Sequence, residues 1–385
     1  MYLATIIGLL LGIISGIVPG IHPNLIALLV AGTLLENREI IIFVAAMSYT
    51  FLSTIPTIYL SAPDADSALS LHPSQKYAVN GRAHEAVILI LIGTLISLSF
   101  MMALMPLFKK ILKPFYHSIE NLIPFLLLIT ALFLILHQNK KIMAAIIFVL
   151  SGALGYAALN INLTDPLLPL FTGLFGIPAL IVGMQSTNVR QKITQPKLSK
   201  KSLKIILVSL FYGSFFSFLP SLGPAQAATV QTHFSKNTSK KDFLILMGCL
   251  STINTIFSIV TLMELNAARN GAIAIIRDLG SIDLKMLNDL LAISLIIAFP
   301  STLLCLCISR GFIRIKNSVN QKMLSRIIIL FLFSITLLIS HLPGIMLLIF
   351  ATVLGYLPYK INVTKTTLMG SLMIPTMIFY FSRMF

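Results

Sequence analysis

Charged residues are scarce in this sequence. Only 10% of its 385 residues are Asp, Glu, Lys or Arg, whereas 57% are hydrophobic and the mean hydropathy is +0.95. A soluble fold needs far less apolar surface, so the composition excludes an ordinary soluble globular protein. It predicts an all-α polytopic membrane protein.

Residues for metal or covalent chemistry are also sparse. The three cysteines, Cys249, Cys305 and Cys307, lie in apolar runs and form neither a Cys-x-x-Cys pair nor a Cys/His cluster. A Gly-rich phosphate loop, a His-Glu-x-x-His helix and a nucleophile elbow are absent from the sequence. We therefore expect no metal, no cofactor and no enzymatic activity. An intramembrane enzyme would have to use Asp64, Asp66 and His72, the only local candidates.

A polar break interrupts the apolar N-terminus and recurs about two hundred residues later. The first reads Gly16-Ile-Val-Pro19-Gly20-Ile-His22-Pro23-Asn24, and the second reads Ser217-Phe-Leu-Pro220-Ser221-Leu-Gly223-Pro224-Ala225. The first proline of each break ends one helix, because it lacks an N–H and clashes with the preceding turn. The second proline suits the first position of the next helix, so each break separates two helical arms. The arm after each break is only about twelve residues, or ~18 Å, which is too short to cross a membrane. Each pair of arms is therefore predicted to form a re-entrant hairpin.

The sequence match between the two halves extends beyond the breaks. Leu52–Ile58 resembles Leu250–Ile256, and further matches are Leu154-Gly155-Tyr156 with Leu354-Gly355-Tyr356, and Gly173 with Gly370. Each half then holds a hairpin plus about five transmembrane helices. Because five crossings is an odd number, the second half enters from the opposite side, which predicts an inverted repeat. The predicted divisions are 1–185 for the first repeat, 186–204 for a basic linker and 205–385 for the second repeat.

Basic residues support one orientation of these spans. The net charge of +16 would suggest nucleic acid in a soluble protein, but here the Lys and Arg residues lie in short loops between spans, so no nucleic-acid partner is expected. The predicted topology places twenty of the 28 on the side of the 186–204 linker. By the positive-inside rule that side is cytoplasmic, and both termini lie outside the cell membrane.

The repeated break predicts an anion site. Inverted hairpins bring two helix N-termini towards the midplane, where their unpaired N–H groups favour a carboxylate or phosphate. Polar residues beside the breaks, hydroxyl-bearing residues in the matched spans and arginines at span ends are candidate ligands. The candidates are Pro19, Gly20, His22, Pro23, Asn24, Ser53, Thr54, Arg82, Pro220, Ser221, Gly223, Pro224, Gln226, Ser251, Asn254 and Arg269. Acids at span ends, Asp64, Asp66 and Glu264, are candidates for binding a coupling Na⁺ or proton.

Two stretches resemble the large membrane permease subunit of the tripartite tricarboxylate transporters, particularly its archaeal relatives. Val18-Pro-Gly-Ile-His-Pro-Asn24 is similar to the family's Pro-Gly break, and Pro56 through Ala86 is similar to a later Pro-rich span end. In the latter the matching positions are Pro73, Lys76, Gly81, Arg82 and Ala83. The usual Asp-Gly-Tyr-Pro element of the family reads Ser70-Leu71-His72-Pro73 here and loses its acid.

This resemblance implies secondary transport of a small carboxylate driven by an ion gradient. It also implies a small membrane subunit and an external binding protein as partners. The same hairpin resembles that of polyprenyl-phosphate translocases, so a lipid-carrier phosphate is the alternative substrate. Both functions need an anion at paired hairpin tips, and they differ in whether the site is sealed or open to lipid.

Overall fold

The structure is a computed structural model that describes residues 1–60, 71–161, 163–184, 189–198, 200–235, 238–318 and 320–383. Helices account for 84% of the described residues, and these ranges contain no strand. The all-α prediction is therefore confirmed.

The first half begins with two short helices on either side of the first break. Its α-helices are α1 (Tyr2–Ile17), α2 (Pro23–Ala31), α3 (Arg38–Leu52), α4 (Leu71–Val79), α5 (Ala83–Ile119), α6 (Ile123–Leu136), α7 (Lys141–Asn160), α8 (Leu167–Phe171) and α9 (Ile177–Gly183). A π-helical segment, Pro56–Leu60, follows α3, and a second, Thr172–Gly176, joins α8 to α9. A 3₁₀ turn, Glu120–Leu122, joins α5 to α6.

The second half also begins with two helices that flank a break. Its α-helices are α10 (Lys200–Phe218), α11 (Pro224–Phe234), α12 (Lys240–Leu265), α13 (Gly271–Leu279), α14 (Leu284–Ser318), α15 (Gln321–Ile361) and α16 (Gly370–Phe381), with a 3₁₀ segment, Lys365–Met369, before α16. The φ angle of +53° at His341 breaks α15 into two parts. In the sequence, two hydrophobic runs, 325–341 and 343–358, predict separate spans that meet at this break.

Five helical stretches in the described part of the chain are long and apolar enough to cross a membrane. They are Ala83–Leu136, Lys141–Asn160, Lys240–Leu265, Leu284–Ser318 and Lys322–Ile361. Shorter apolar helices cover Tyr2–Ile17, Leu167–Gly183 and Ser202–Phe218. The lengths and composition are those of a multi-pass membrane protein.

The two hairpin arms occupy matching places in their halves. The first arm of each pair, α1 or α10, packs along the long helix that follows the hairpin, α3 or α12. The second arms are short, with nine residues in α2 and eleven in α11. Both are well below the ~20 residues that a transmembrane helix requires. The re-entrant path of these arms stays a prediction.

Glycines at matching positions allow close contact between helices of the two halves: α7 packs against α16, and α15 packs against the segment that joins α8 to α9. A Cβ atom at Gly155 in α7 would overlap the carbonyl oxygen of Ser371 in α16, and one at the matching Gly355 in α15 would overlap that of Leu174. In the same way, a Cβ atom at Gly370 would overlap the carbonyl oxygen of Phe148, and one at its counterpart Gly173 would lie against the carbonyl oxygen of Leu348. Small residues allow such close backbone contact between membrane helices. Contacts at matching positions are what an internal repeat predicts.

Candidate functional site

The two breaks adopt the same backbone turn. The Ile21 N–H donates to the Val18 carbonyl at 3.3 Å, and the Leu222 N–H donates to the Leu219 carbonyl at 3.4 Å. The third residue of each turn has a left-handed backbone, with φ of +88° at Gly20 and +58° at Ser221. A left-handed serine is unusual and carries some backbone strain. The duplicated prolines therefore specify a duplicated geometry.

The helices that follow the breaks differ in how their first turns are capped. In α2, His22 Nδ1 accepts a hydrogen bond from the Asn24 N–H at 3.3 Å, and the His22 carbonyl accepts from the Leu25 N–H at 3.0 Å. In α11, Gln226 Oε1 accepts from the Gly223 N–H at 2.9 Å. The N–H groups of Ala225 and Gln226 lie in the first turn of α11, where the helix itself supplies no acceptor. The start of α11 is thus the better donor site for an anion.

Both breaks line one cavity of about 260 Å³. Its wall includes the breaks themselves, the end of α3, the middle of α12, and the connections that precede α8 and α13. Ten of the residues predicted for the site lie in the lining: Pro19, Gly20, His22, Asn24, Ser53, Ser221, Gly223, Gln226, Asn254 and Arg269. Packing therefore joins residues from both halves of the sequence in one place.

Irregular helix geometry adds polar backbone to the cavity. Pro56 and Thr57 come from the first π-helical segment, and Thr172 and Gly176 come from the second. Wide turns of this kind recur at functional sites because they disturb the regular hydrogen-bond ladder. Irregular backbone at membrane depth is tolerated where it lines a cavity.

Arg269 gives the cavity a positive group with unpaired hydrogen-bond donors. It lies in the connection between α12 and α13, and its Nε and Nη2 atoms are buried with no hydrogen-bond partner in the described structure. The Tyr116 ring is nearby, with its centroid 5.8 Å from the guanidinium carbon. Leaving charged donors buried and unpaired is costly, so this arrangement suits a ligand that accepts hydrogen bonds and carries negative charge.

Comparison with known proteins identifies the family. Residues 2–370 match the model of the tripartite tricarboxylate transporter TctA family. The chain belongs to the TctA family. An uncharacterised protein of Methanocaldococcus jannaschii is 28% identical to it over 361 residues, which cover 90% of this chain and 89% of the relative. No solved structure matches the chain.

Membership of the TctA family makes this chain a membrane transport protein of the permease type. The family implies a tricarboxylate-type secondary transporter. The expected absence of an enzymatic activity stays a prediction. A tripartite family also implies further subunits and a binding protein in general. The alternative, a polyprenyl-phosphate translocase, finds no support in the comparisons.

Several predicted site residues lie outside the cavity lining. Pro23 and Pro224 are buried at the first positions of α2 and α11, so they shape the breaks without lining the cavity. Thr54 is also buried, and its hydroxyl donates to the Phe51 carbonyl at 3.0 Å. The other described members of this set are Arg82, Pro220, Ser251 and Glu264. Asp64 and Asp66 fall outside the described residues.

Arg82 has a structural partner away from the cavity. Its guanidinium donates to both carboxylate oxygens of Glu85, with N–O distances of 2.7 and 2.5 Å. Glu85 is buried, and it also accepts a hydrogen bond from the Thr194 hydroxyl of the linker at 2.8 Å. The positive charge of Arg82 is therefore neutralised by a neighbour three residues away, and the group holds the linker against the start of α5.

Sequence reasoning did not find several polar residues of the cavity. Asp165, Tyr49, Thr172 and Asn270 all line it. Tyr49 packs edge-on against His22, with 5.3 Å between the ring centroids. Asp165 precedes α8 and was detectable in principle, because an isolated acid among apolar spans is costly and usually functional.

Proposed function

We infer that this TctA-family chain transports a small organic anion of the carboxylate class and binds it in the cavity between the two breaks. The supporting observation is Arg269, whose buried Nε and Nη2 atoms have no hydrogen-bond partner in the described structure and which lines the same cavity as the start of α11. A carboxylate offers paired oxygen acceptors that match a guanidinium, and it is also favoured at a helix N-terminus. Ser221, Gln226 and Asn254 supply neutral polar groups in the same wall.

The size of the cavity favours a small substrate. Its volume of about 260 Å³ lies near the lower end of the ~300–1,000 Å³ that is usual for small-molecule pockets. A short carboxylate fits such a space, whereas a polyprenyl chain would need an opening to the lipid. This observation favours the carboxylate over the lipid-carrier phosphate.

The proposed architecture is an inverted repeat with divisions at 1–185, 186–204 and 205–385. The duplicated turns at Gly20 and Ser221, and the exchanged contacts of Gly155 and Gly355, support the repeat. Transporters built this way hold substrate at the interface of the repeats and expose it alternately by moving one repeat against the other. In this arrangement the protein lies in the cell membrane with both termini outside. The small membrane subunit and external binding protein are the proposed partners.

Binding of citrate to the purified protein in nanodiscs tests this function, because a binding assay does not depend on the partner subunits. We expect citrate to bind, and we expect triethyl citrate, which has the same skeleton without the charges, not to bind. Isothermal titration calorimetry measures the binding of both compounds and of a third ligand, a polyprenyl phosphate. If the polyprenyl phosphate binds and citrate does not, the carboxylate proposal is wrong and the lipid-carrier function replaces it.

A further inference from the structure

Asp165 is the acidic residue among the described residues that line the cavity. It is half-buried in the connection between α7 and α8. One carboxylate oxygen, Oδ1, accepts hydrogen bonds from the Leu167 N–H at 3.0 Å and the Leu168 N–H at 3.2 Å. The main-chain carbonyl of Asp165 accepts from the Ser340 hydroxyl of α15 at 3.1 Å. The start of α8 thus orients the carboxyl group, while α15 holds the main chain of Asp165.

An ionised Asp165 conflicts with an anion in the same cavity. Like charges in a confined site repel each other, and a second negative charge favours the protonated form of the first group. Binding of an anion and binding of a proton to Asp165 therefore assist each other. The effect is reciprocal, because two ligands that share one coupling free energy each strengthen the binding of the other.

Four other titratable or charged side chains face this part of the cavity or lie near it. His22 comes from the first break, Arg269 from the connection before α13, and Tyr49 from α3. His341 follows Ser340 in α15 and is exposed. Since His22 Nδ1 accepts a hydrogen bond from the Asn24 N–H, protonation of that nitrogen would remove the cap of α2. A proton on Asp165 Oδ2 would leave the two hydrogen bonds accepted by Oδ1 in place, and so Asp165 is the better proton acceptor.

The described acidic groups favour a proton over a divalent metal cation. A proton needs a single basic oxygen, whereas a metal ion needs a shell of several oxygen ligands. Groups of three or more His, Cys, Asp or Glu residues placed to hold a metal are absent from the described ranges. Among the acids predicted to bind a coupling ion, Glu264 does not line the cavity, and Asp64 and Asp66 lie outside the described residues.

We propose that Asp165 binds the proton that is carried together with the anion. The proposal rests on the function inferred above, since it requires an anion in this cavity. The proton comes from water on the side where the anion enters, attaches to a carboxyl oxygen of Asp165, and returns to water on the side where the anion is released. No covalent bond to the substrate forms or breaks.

The variant Asp165→Asn separates this role from simple helix capping. An asparagine side chain keeps an oxygen that can cap α8, and its neutral amide imitates the protonated acid. We expect the citrate affinity of the parent to rise as the pH falls from 8 to 6. For each pH unit, the rise in the parent should exceed the rise in Asp165→Asn by about tenfold. The titration of citrate itself is common to both proteins and cancels in this difference. An unchanged pH dependence in Asp165→Asn would mean that Asp165 is only a cap.

His22→Asn is the matched control, because asparagine also retains an oxygen acceptor for the Asn24 N–H. We expect this variant to keep the pH dependence of the parent. Loss of the pH dependence in His22→Asn, with its retention in Asp165→Asn, would assign the proton to His22 and overturn the proposal.

Proton uptake by the parent protein provides a test that needs no variant. Calorimetry of citrate binding in buffers of different ionisation enthalpy counts the protons taken up. We expect about one proton more than citrate itself takes up at that pH. No uptake beyond that of citrate overturns the proposal but leaves the proposed function intact. Failure of citrate to bind at any pH from 6 to 8 would instead overturn the proposed function.

Discussion

Arg269→Gln is expected to weaken citrate binding by a hundredfold or more. Its buried Nε and Nη2 atoms have no partner in the described structure, so the ligand supplies their acceptors. A hydrogen bond to a charged group is worth about 1.5–3 kcal/mol, and each ~1.4 kcal/mol changes the affinity tenfold. Two such bonds therefore correspond to a loss of about a hundredfold at least. Calorimetry of citrate binding in nanodiscs measures this loss directly.

The same substitution is expected to raise the melting temperature of the ligand-free protein. A buried guanidinium without acceptors destabilises the fold, and the neutral amide of glutamine removes most of that cost. Arg277→Gln is the control, because Arg277 is exposed in α13 and its Nη2 atom lies 3.1 Å from Asp278 Oδ1. We expect the control to change neither property. Equal losses of citrate affinity in both variants would mean that Arg269 acts only through general electrostatic attraction.

Pro224→Ala is expected to weaken citrate binding by about tenfold, and Pro23→Ala is expected to weaken it less. Alanine allows α11 to extend backwards into the break, and the N–H groups of Ala225 and Gln226 then become internal donors of the helix. In α2 the corresponding donors are already engaged by His22, so less is lost there. One charged hydrogen bond of about 1.5 kcal/mol accounts for the tenfold change.

Calorimetry on the two proline variants provides this comparison, and thermal unfolding checks that both remain folded. Alanine is a better helix former than proline, so stability should fall little. A larger loss of affinity in Pro23→Ala than in Pro224→Ala would place the anion at the start of α2 and not at that of α11.

The sequence predicted local features of the fold better than contacts between distant residues. The prolines of the breaks and the matched glycines act through their own backbone conformation or bulk, so their effect can be inferred from residue type and spacing. The one-residue break at His341 is likewise placed by the end of a hydrophobic run. Membership of the TctA family confirms the resemblance seen in Val18–Asn24 and Pro56–Ala86.

The candidate site was only partly predictable, because tertiary packing selects its members. Both Arg82 and Arg269 lie at predicted span ends, yet Glu85 forms an ion pair with Arg82 and no acid among the described residues does so for Arg269. Asp165 lies far from either break in sequence and reaches the cavity through the packing of α8 and its neighbours. Such differences depend on which side chains meet across helices, and spacing along the chain does not reveal this.

A cryo-electron microscopy structure of the protein in nanodiscs with citrate tests the central claim most directly. The account predicts density for citrate between the breaks at Gly20 and Ser221, with carboxylate oxygens within about 3 Å of Arg269 Nε and Nη2. A further carboxylate is expected at the N–H groups that begin α11. Citrate bound beside Arg82 with this cavity empty would contradict the account.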